Sequence, residues 1–202
     1  MNRFFSLLLV LVPFSVFGLE LKVGDILLQP RDCWSCSLIE AQENSIYSHM
    51  AMVIQTAPEL KVIDALGTVK VSTFSEFDKG TQKNQNVSVR RFRNDDIVSY
   101  IQNNESAFVA YYLDNFDGLQ YDHDFIWNNF DENGYEKLYC SEMVTKLLSG
   151  FLRIELPMKK MKFDKNRDQW IKYFRGNPPD GKWGNAPADY EKSELFYEVG
   201  EL

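Results

Sequence analysis

The sequence predicts an α+β domain, rich in strands through its first half and helical in its second. Three observations carry that expectation. From His49 to Gln55 the chain is almost continuously apolar, as expected of a strand covered on both faces. Residues 86–92 alternate apolar and polar, the pattern of a half-buried strand. From Cys140 onward the apolar positions are Met143, Val144, Leu147, Leu148 and Phe151, which share one face of a helix.

Taken in order, residues 23–29 read as a turn and a short buried strand that Pro30 closes. Residues 33–44 read as a short helix or loop with Leu38, Ile39 and Ala41 inward. The apolar run beginning at His49 is the next strand. Residues 61–67 form another, closed at Gly67, and residues 68–72 one more, with Pro58 and Gly67 as hairpin corners. Residues 74–77 start a helix or turn ahead of the strand at 86–92. The period then changes. Residues 95–101 begin a helix with Asp95 and Asp96 at its favourable end, and 108–113 continue it after a break around Asn103-Asn104. Residues 118–122 turn into Phe125-Ile126-Trp127. The helix that starts at Cys140 follows, with Gly150 as its expected stop. Beyond it come residues 154–157, a short helix around 170–174, and a Gly/Pro-rich tail with enough aromatics to pack on the domain. No internal repeat and no second domain are visible.

The N-terminus reads differently. Arg3 precedes a short apolar stretch broken by Pro13, with Val16 and Gly18 small enough for cleavage. Residues 1–18 are therefore expected to be a secretory signal peptide and 19–202 the mature domain, exported to the periplasm or the exterior. The stretch is short of the roughly 20 residues of a membrane span; an uncleaved anchor is the alternative. No later segment is apolar for long enough to cross a bilayer. Losing Arg3 takes the formal charge from −7 to −8, which leaves no electrostatic footprint for nucleic acid. The basic clusters at 90–93 and 159–162 read as solvated faces. The acidic residues at 114–118, with Asp122 and Asp124, lack the ligand spacing of a calcium loop and read as a solvated turn.

Cysteine and histidine usage narrows the chemistry. Cys33 and Cys36 form a close pair, read as structural or incidental, while Cys140 is the odd thiol. Zinc would need two more ligands, and only His49 and His123 are available, so no metal or other cofactor is expected. At the start of a core-packed helix, unpaired N–H groups and the helix dipole favour a thiolate at Cys140. A catalytic thiol needs a base and a group to orient that base. His49, at a strand entrance, suits the first role better than His123 in its acidic loop. Asp64 shares a strand face with Val62 and would require a buried partner there, which His49 could be. A small core cysteine, a packed His49 and an exposed edge-of-strand Asp64 are the competing readings. Tyr47, Tyr121, Tyr139 and Trp127 are candidate walls of a substrate cleft, each equally explicable as core.

Several segments, in order, resemble the circularly permuted papain-fold cysteine peptidases related to NlpC, of the YiiX/YebB/YaeF type. They are Gly24-Asp25-Ile26-Leu27, Tyr47-Ser48-His49-Met50-Ala51-Met52-Val53-Ile54, Val62-Ile63-Asp64-Ala65, Gly118-Leu119-Gln120-Tyr121-Asp122 and Tyr139-Cys140-Ser141-Glu142-Met143-Val144. The tail from Asn177 through Asp189 and Ser193 is also similar, so the resemblance spans about residues 23–199. It implies a permuted papain-like fold with an antiparallel sheet first and the nucleophile helix after it. Cys140 becomes the nucleophile, His49 the base and then the acid, and Asp64 the orienting group. That type usually carries Glu at the third position, one methylene longer than Asp64. The implied reaction is acyl transfer through a thioester on a small peptide, amino-acid or lipid-amide substrate, with amide bonds of cell-wall peptides as the leading class. Two alternatives accompany it. Relatives of lecithin:retinol acyltransferase work on lipid acyl groups with the same His-before-Cys order, although they usually carry His near the position of Asp64. A non-catalytic secreted module that binds a peptide or amino acid is the other.

Overall fold

In the computed structural model, residues 19–202 are described; the segment read as a signal peptide lies outside them. The chain enters through β1 (Ile26–Gln29), turns into α1 (Trp34–Glu43), and returns as β2 (His49–Gln55). A hairpin of β3 (Lys61–Leu66) and β4 (Thr68–Thr73) follows, then α2 (Phe74–Asp78) and β5 (Ser88–Phe92). Gly67 makes the β3–β4 corner with φ +84°, a left-handed conformation that suits glycine. The helical half comprises α3 (Asp95–Asn103), α4 (Glu105–Asn115), the small hairpin β6 (Asn129–Phe130) and β7 (Glu136–Lys137), and α5 (Cys140–Leu152). The tail carries β8 (Lys159–Lys160), α6 (Arg167–Tyr173), β9 (Trp183–Gly184), α7 (Pro187–Lys192) and β10 (Phe196–Glu201).

Six of these strands make one antiparallel sheet in the order β10-β5-β1-β2-β3-β4. In β2, Met50, Met52 and Ile54 enter the larger core with Met143, Val144, Leu147 and Leu148 of α5. Ala51 and Val53 join a smaller cluster with Leu27, Val62, Val89 and Phe77. Burial on both pleats explains why β2 reads as unbroken apolar sequence.

The sheet comes first and the cysteine helix after it, as expected, and the C-terminal tail adds one more strand: β10 pairs with β5, from Phe196 opposite Phe92 to Glu201 opposite Ser88. Three expectations need correction. Gly150 does not stop its helix. α5 runs on to Leu152 and is capped by Arg153 in the left-handed region (φ 56°). A Cβ at Gly150 would lie 2.1 Å from the Tyr111 hydroxyl, so the glycine serves close packing of α4 on α5. The basic clusters are not simply solvated. Arg91 donates from Nε to Asp25 Oδ1 and from Nη2 to Asp25 Oδ2, both at 2.7 Å, and Asp25 is buried. Lys159 bridges Glu43 and Asp189. The acidic loop is anchored, too. Buried Asp122 accepts the N–H groups of Asp124 (3.0 Å) and Ile126 (2.8 Å) and the Asn129 side-chain amide (2.7 Å), folding the loop around itself.

The Asp25–Arg91 pair yields a test. Arg91→Ala leaves a buried carboxylate without its cation, so equilibrium urea unfolding is expected to show a loss of about 3 kcal/mol or more. A loss below about 1 kcal/mol is the behaviour of an exposed ion pair and would contradict the burial assigned to it.

Candidate active site

Strand register builds the first half of the site. Ala51 faces Asp64 across β2 and β3, so His49, two residues before Ala51, sits diagonally to Asp64 on the same pleat. The imidazole Nε2 meets Asp64 Oδ1 at 2.7 Å, and both residues are 3% exposed. The carboxylate therefore reaches the ring directly despite having one methylene fewer than Glu. Ser48 holds the strand entrance. Its N–H donates to the Gln29 carbonyl (3.1 Å), its hydroxyl to Glu40 (2.9 Å), and it accepts from the Arg31 N–H (3.1 Å).

The second half comes from the start of α5. Tyr121 N–H donates to the Gly67 carbonyl, and Leu138 N–H to the Gln120 carbonyl. These bonds fasten the segment before α5 to the end of the sheet where β2 begins. Cys140 is thereby brought against the His49 ring. Burial would lower the ring's pKa, but Asp64 and Cys140 more than reverse it, and the value is raised to about 10. With Nε2 engaged by Asp64, Nδ1 is the nitrogen left for the sulfur. The helical ladder starts with Met143 N–H to the Tyr139 carbonyl, and no side chain caps the helix. The N–H groups of Cys140, Ser141 and Glu142 therefore precede the ladder, next to the sulfur. His123 is elsewhere, exposed against the Tyr121 ring at 4.9 Å between centroids.

A cleft partly open to solvent lies beside Cys140. Of the four aromatic residues expected to wall it, Tyr121 and Tyr139 do so. Tyr47 does not: it is packed in the main core with Met50 and Met143. Nor does Trp127, which lies under the Lys146 ammonium (4.6 Å) and borders a separate depression with Thr145 and Ser149. Burial and the nearby Cys140 raise the Tyr121 hydroxyl well above its ordinary range, which keeps it neutral. The remaining walls come mostly from segments that sequence reasoning did not assign to a site: Ile39 on α1, and Phe125, Met161, Phe163 and Trp170. Only the density of aromatics in the tail hinted at them.

Two further residues support the helix start. Asn185 donates its backbone N–H to the Tyr139 hydroxyl (3.3 Å) and its side-chain amide to Thr145, and its carbonyl accepts from Ser141 Oγ (3.1 Å). Fully buried Glu142 accepts from the Asn128 N–H (3.1 Å) and pairs with Lys146 (2.8 Å). Burial pushes its pKa up to about 7, with Lys146 pulling the other way. Glu142, in the first turn of α5, belongs to one of the segments that carry the family resemblance, but nothing in the sequence marked it as buried.

A sheet whose His-bearing strand precedes the Cys-bearing helix defines a papain-like fold in circularly permuted order. The comparisons with known proteins agree: the chain belongs to the permuted papain-like amidase family described as YaeF/YiiX, C92, whose model matches residues 20–186. It is similar to the uncharacterized protein YiiX of Escherichia coli K12, with 30% identity over 172 residues, covering 83% of this chain and 78% of that protein. It also superposes on the crystal structure of metalloprotein yiiX from Escherichia coli O157:H7 with a TM-score of 0.74 at 20% identity, covering 90% of this chain and 97% of that one. That relative is described as a metalloprotein. Among the described residues here, no three His, Cys, Asp or Glu side chains are grouped so as to hold a metal ion.

The buried His49–Asp64 pair makes stability depend on pH. Folding raises the ring's pKa from 6.5 to about 10, so the native state keeps a proton that the unfolded chain releases. The resulting stabilisation is complete below about 6.5 and disappears as the pH climbs through about 10. Urea midpoints measured from pH 6 to 10 are expected to fall with rising pH, and to fall less steeply in His49→Gln. Parallel profiles for the two proteins would contradict the assignment.

Proposed function

We propose that this chain is an exported thiol-dependent amidase that uses Cys140, His49 and Asp64. One observation carries the reading: a single buried imidazole engages a buried carboxylate through one nitrogen and lies beside Cys140, the one free cysteine among the described residues. Its export rests on the sequence of residues 1–18 alone.

The reaction follows from the proton inventory. A histidine held protonated by a carboxylate favours a thiolate beside it. The Cys140 sulfur attacks the substrate carbonyl carbon, forming a C–S bond and moving the carbonyl π pair onto oxygen. The N–H groups at the start of α5 face that oxyanion. Collapse breaks the C–N bond, and the departing amine takes the His49 proton. Water then attacks the thioester and gives a proton back to His49, releasing the acid and restoring the thiolate. Asp64 keeps the ring oriented throughout.

The cleft favours an apolar group next to the scissile bond, since Ile39, Phe125, Met161, Phe163 and Trp170 border it. An apolar residue of a peptide, including a cell-wall peptide, satisfies that lining. The same lining supports the second reading, a lipid amide or ester acyl hydrolase or acyltransferase. Matched peptide-amide, lipid-amide and ester probes distinguish the two. A non-catalytic module binding a peptide or amino acid would turn over none of them.

Cys140→Ala is expected to reduce turnover of any accepted probe by about 10⁴-fold or more while leaving the thermal midpoint within a few degrees. Turnover retained in that variant would remove Cys140 as the nucleophile. An ordinary thiol titration curve at Cys140 in the wild type, together with no turnover of any probe, would instead favour the binding module.

A further inference from the structure

Cys33 and Cys36 are joined by a disulfide at the start of α1, and neither sulfur takes part in the chemistry assigned to Cys140. The strand β1 leads through Pro30, Arg31 and Asp32 into α1, and Cys33 is the N-cap of that ten-residue helix. Its sulfur accepts the Cys36 N–H at 3.1 Å and lies 3.4 Å from Ser35 Oγ. The two sulfurs differ sharply in access: Cys33 is exposed, whereas Cys36 is 4% exposed. One sulfur is therefore open to an incoming nucleophile and the other is shielded by the fold.

The bond also does little that the chain does not already do. Both cysteines belong to the same helical turn, so the disulfide ties α1 to no other element. That turn is already held by the Cys36 N–H to Cys33 sulfur cap and by the Ser37 N–H to the Cys33 carbonyl (3.4 Å). A cross-link enclosing only two intervening residues removes the least freedom from the unfolded chain. Beside it, half-exposed Trp34 stacks on Tyr173 (6.2 Å between centroids), with the Lys172 ammonium 5.9 Å from the indole. A partner approaching Cys33 meets a flat aromatic surface.

We propose that Cys33–Cys36 is a thiol–disulfide exchange site, with Cys33 as the attacked sulfur, Cys36 as the leaving sulfur, and a dithiol protein as the co-reactant. A thiolate of the dithiol attacks Cys33 Sγ. The new S–S bond forms as the old one breaks, and the electron pair leaves on Cys36, which takes up a proton. The second thiolate of the co-reactant then attacks its own sulfur in the mixed disulfide and releases Cys33 as a thiolate. Two electrons end on this chain, and the dithiol becomes a disulfide. The released thiolate at the N-cap keeps the Cys36 N–H and lies at the positive end of α1, which stabilises it. In the reverse direction the same pair reduces a disulfide. The proposal does not depend on what Cys140 does.

The test uses the full chain in native buffer, equilibrated with reduced and oxidised glutathione, with each cysteine followed separately by alkylation and peptide mass spectrometry. Near-UV circular dichroism reports that the fold persists. The bond is expected to open while the chain stays folded. In the reduced protein at neutral pH, Cys33 is expected to react with iodoacetamide about tenfold faster than an unstructured cysteine peptide, and Cys36 far more slowly. Cys36→Ser is expected to capture glutathione on Cys33 from oxidised glutathione, whereas Cys33→Ser leaves Cys36 largely unmodified. A bond that opens only in denaturant, or a Cys33 no faster than the peptide, overturns the proposal.

Discussion

The buried contact between the His49 imidazole and the Asp64 carboxylate ties the register of the sheet to the chemistry of the site. Neither group tolerates that depth alone, since an unpaired buried charge is among the costliest features a fold can carry. Their meeting requires Ala51 opposite Asp64, and a slip of one residue would send Asp64 to the other pleat. β2 is apolar on both faces, so its own pattern discriminates weakly between registers. The polar pair adds the missing selectivity: in a shifted register the carboxylate would be left without the imidazole. The arrangement that defines the site thus also helps to define the sheet.

α5 works from the opposite direction. Its apolar stripe of Met143, Val144, Leu147 and Leu148 anchors it in the larger core, and that burial determines where its first turn ends up. The tail then returns to grip the same turn. Asn185 engages Tyr139, Ser141 and Thr145, and the Thr145 hydroxyl lies 2.6 Å from that of Tyr190. β10 pairs with β5 at one edge of the sheet, so the chain after the cysteine helix is part of the frame and not an appendage. The cleft inherits its apolar walls from this return, with Met161, Phe163 and Trp170 all contributed by it.

Much of this was readable one segment at a time. The periodicities at 49–55, 86–92 and from Cys140 mark local structure because each reflects burial of a single face or of both. The break at Asn103-Asn104 falls where α3 gives way to α4. What misled was the identity of single residues out of context. Gly150 looks like a stop signal, yet its small size is used against Tyr111. Arg91 and Asp122 look like surface charges, yet each is enclosed with its partners, Asp25 in one case and a ring of N–H groups in the other. Tyr47 and Trp127 look like cleft aromatics, yet they pack into the core and under Lys146. In each case the deciding neighbour comes from a different element or a later turn of the loop.

The amino-acid sequence by itself determined the class of fold, the helix that begins at Cys140, and a short list of residues able to do thiol chemistry. These follow from patterns spanning a few turns or strands, where burial writes itself into spacing. Only the tertiary structure decided that His49 rather than His123 lies beside Cys140, that Asp64 reaches the ring in spite of its shorter side chain, and which aromatics border the cleft. Those outcomes depend on pairings between residues far apart along the chain, with angstrom-scale differences in position deciding between contact and separation, and no periodicity records them.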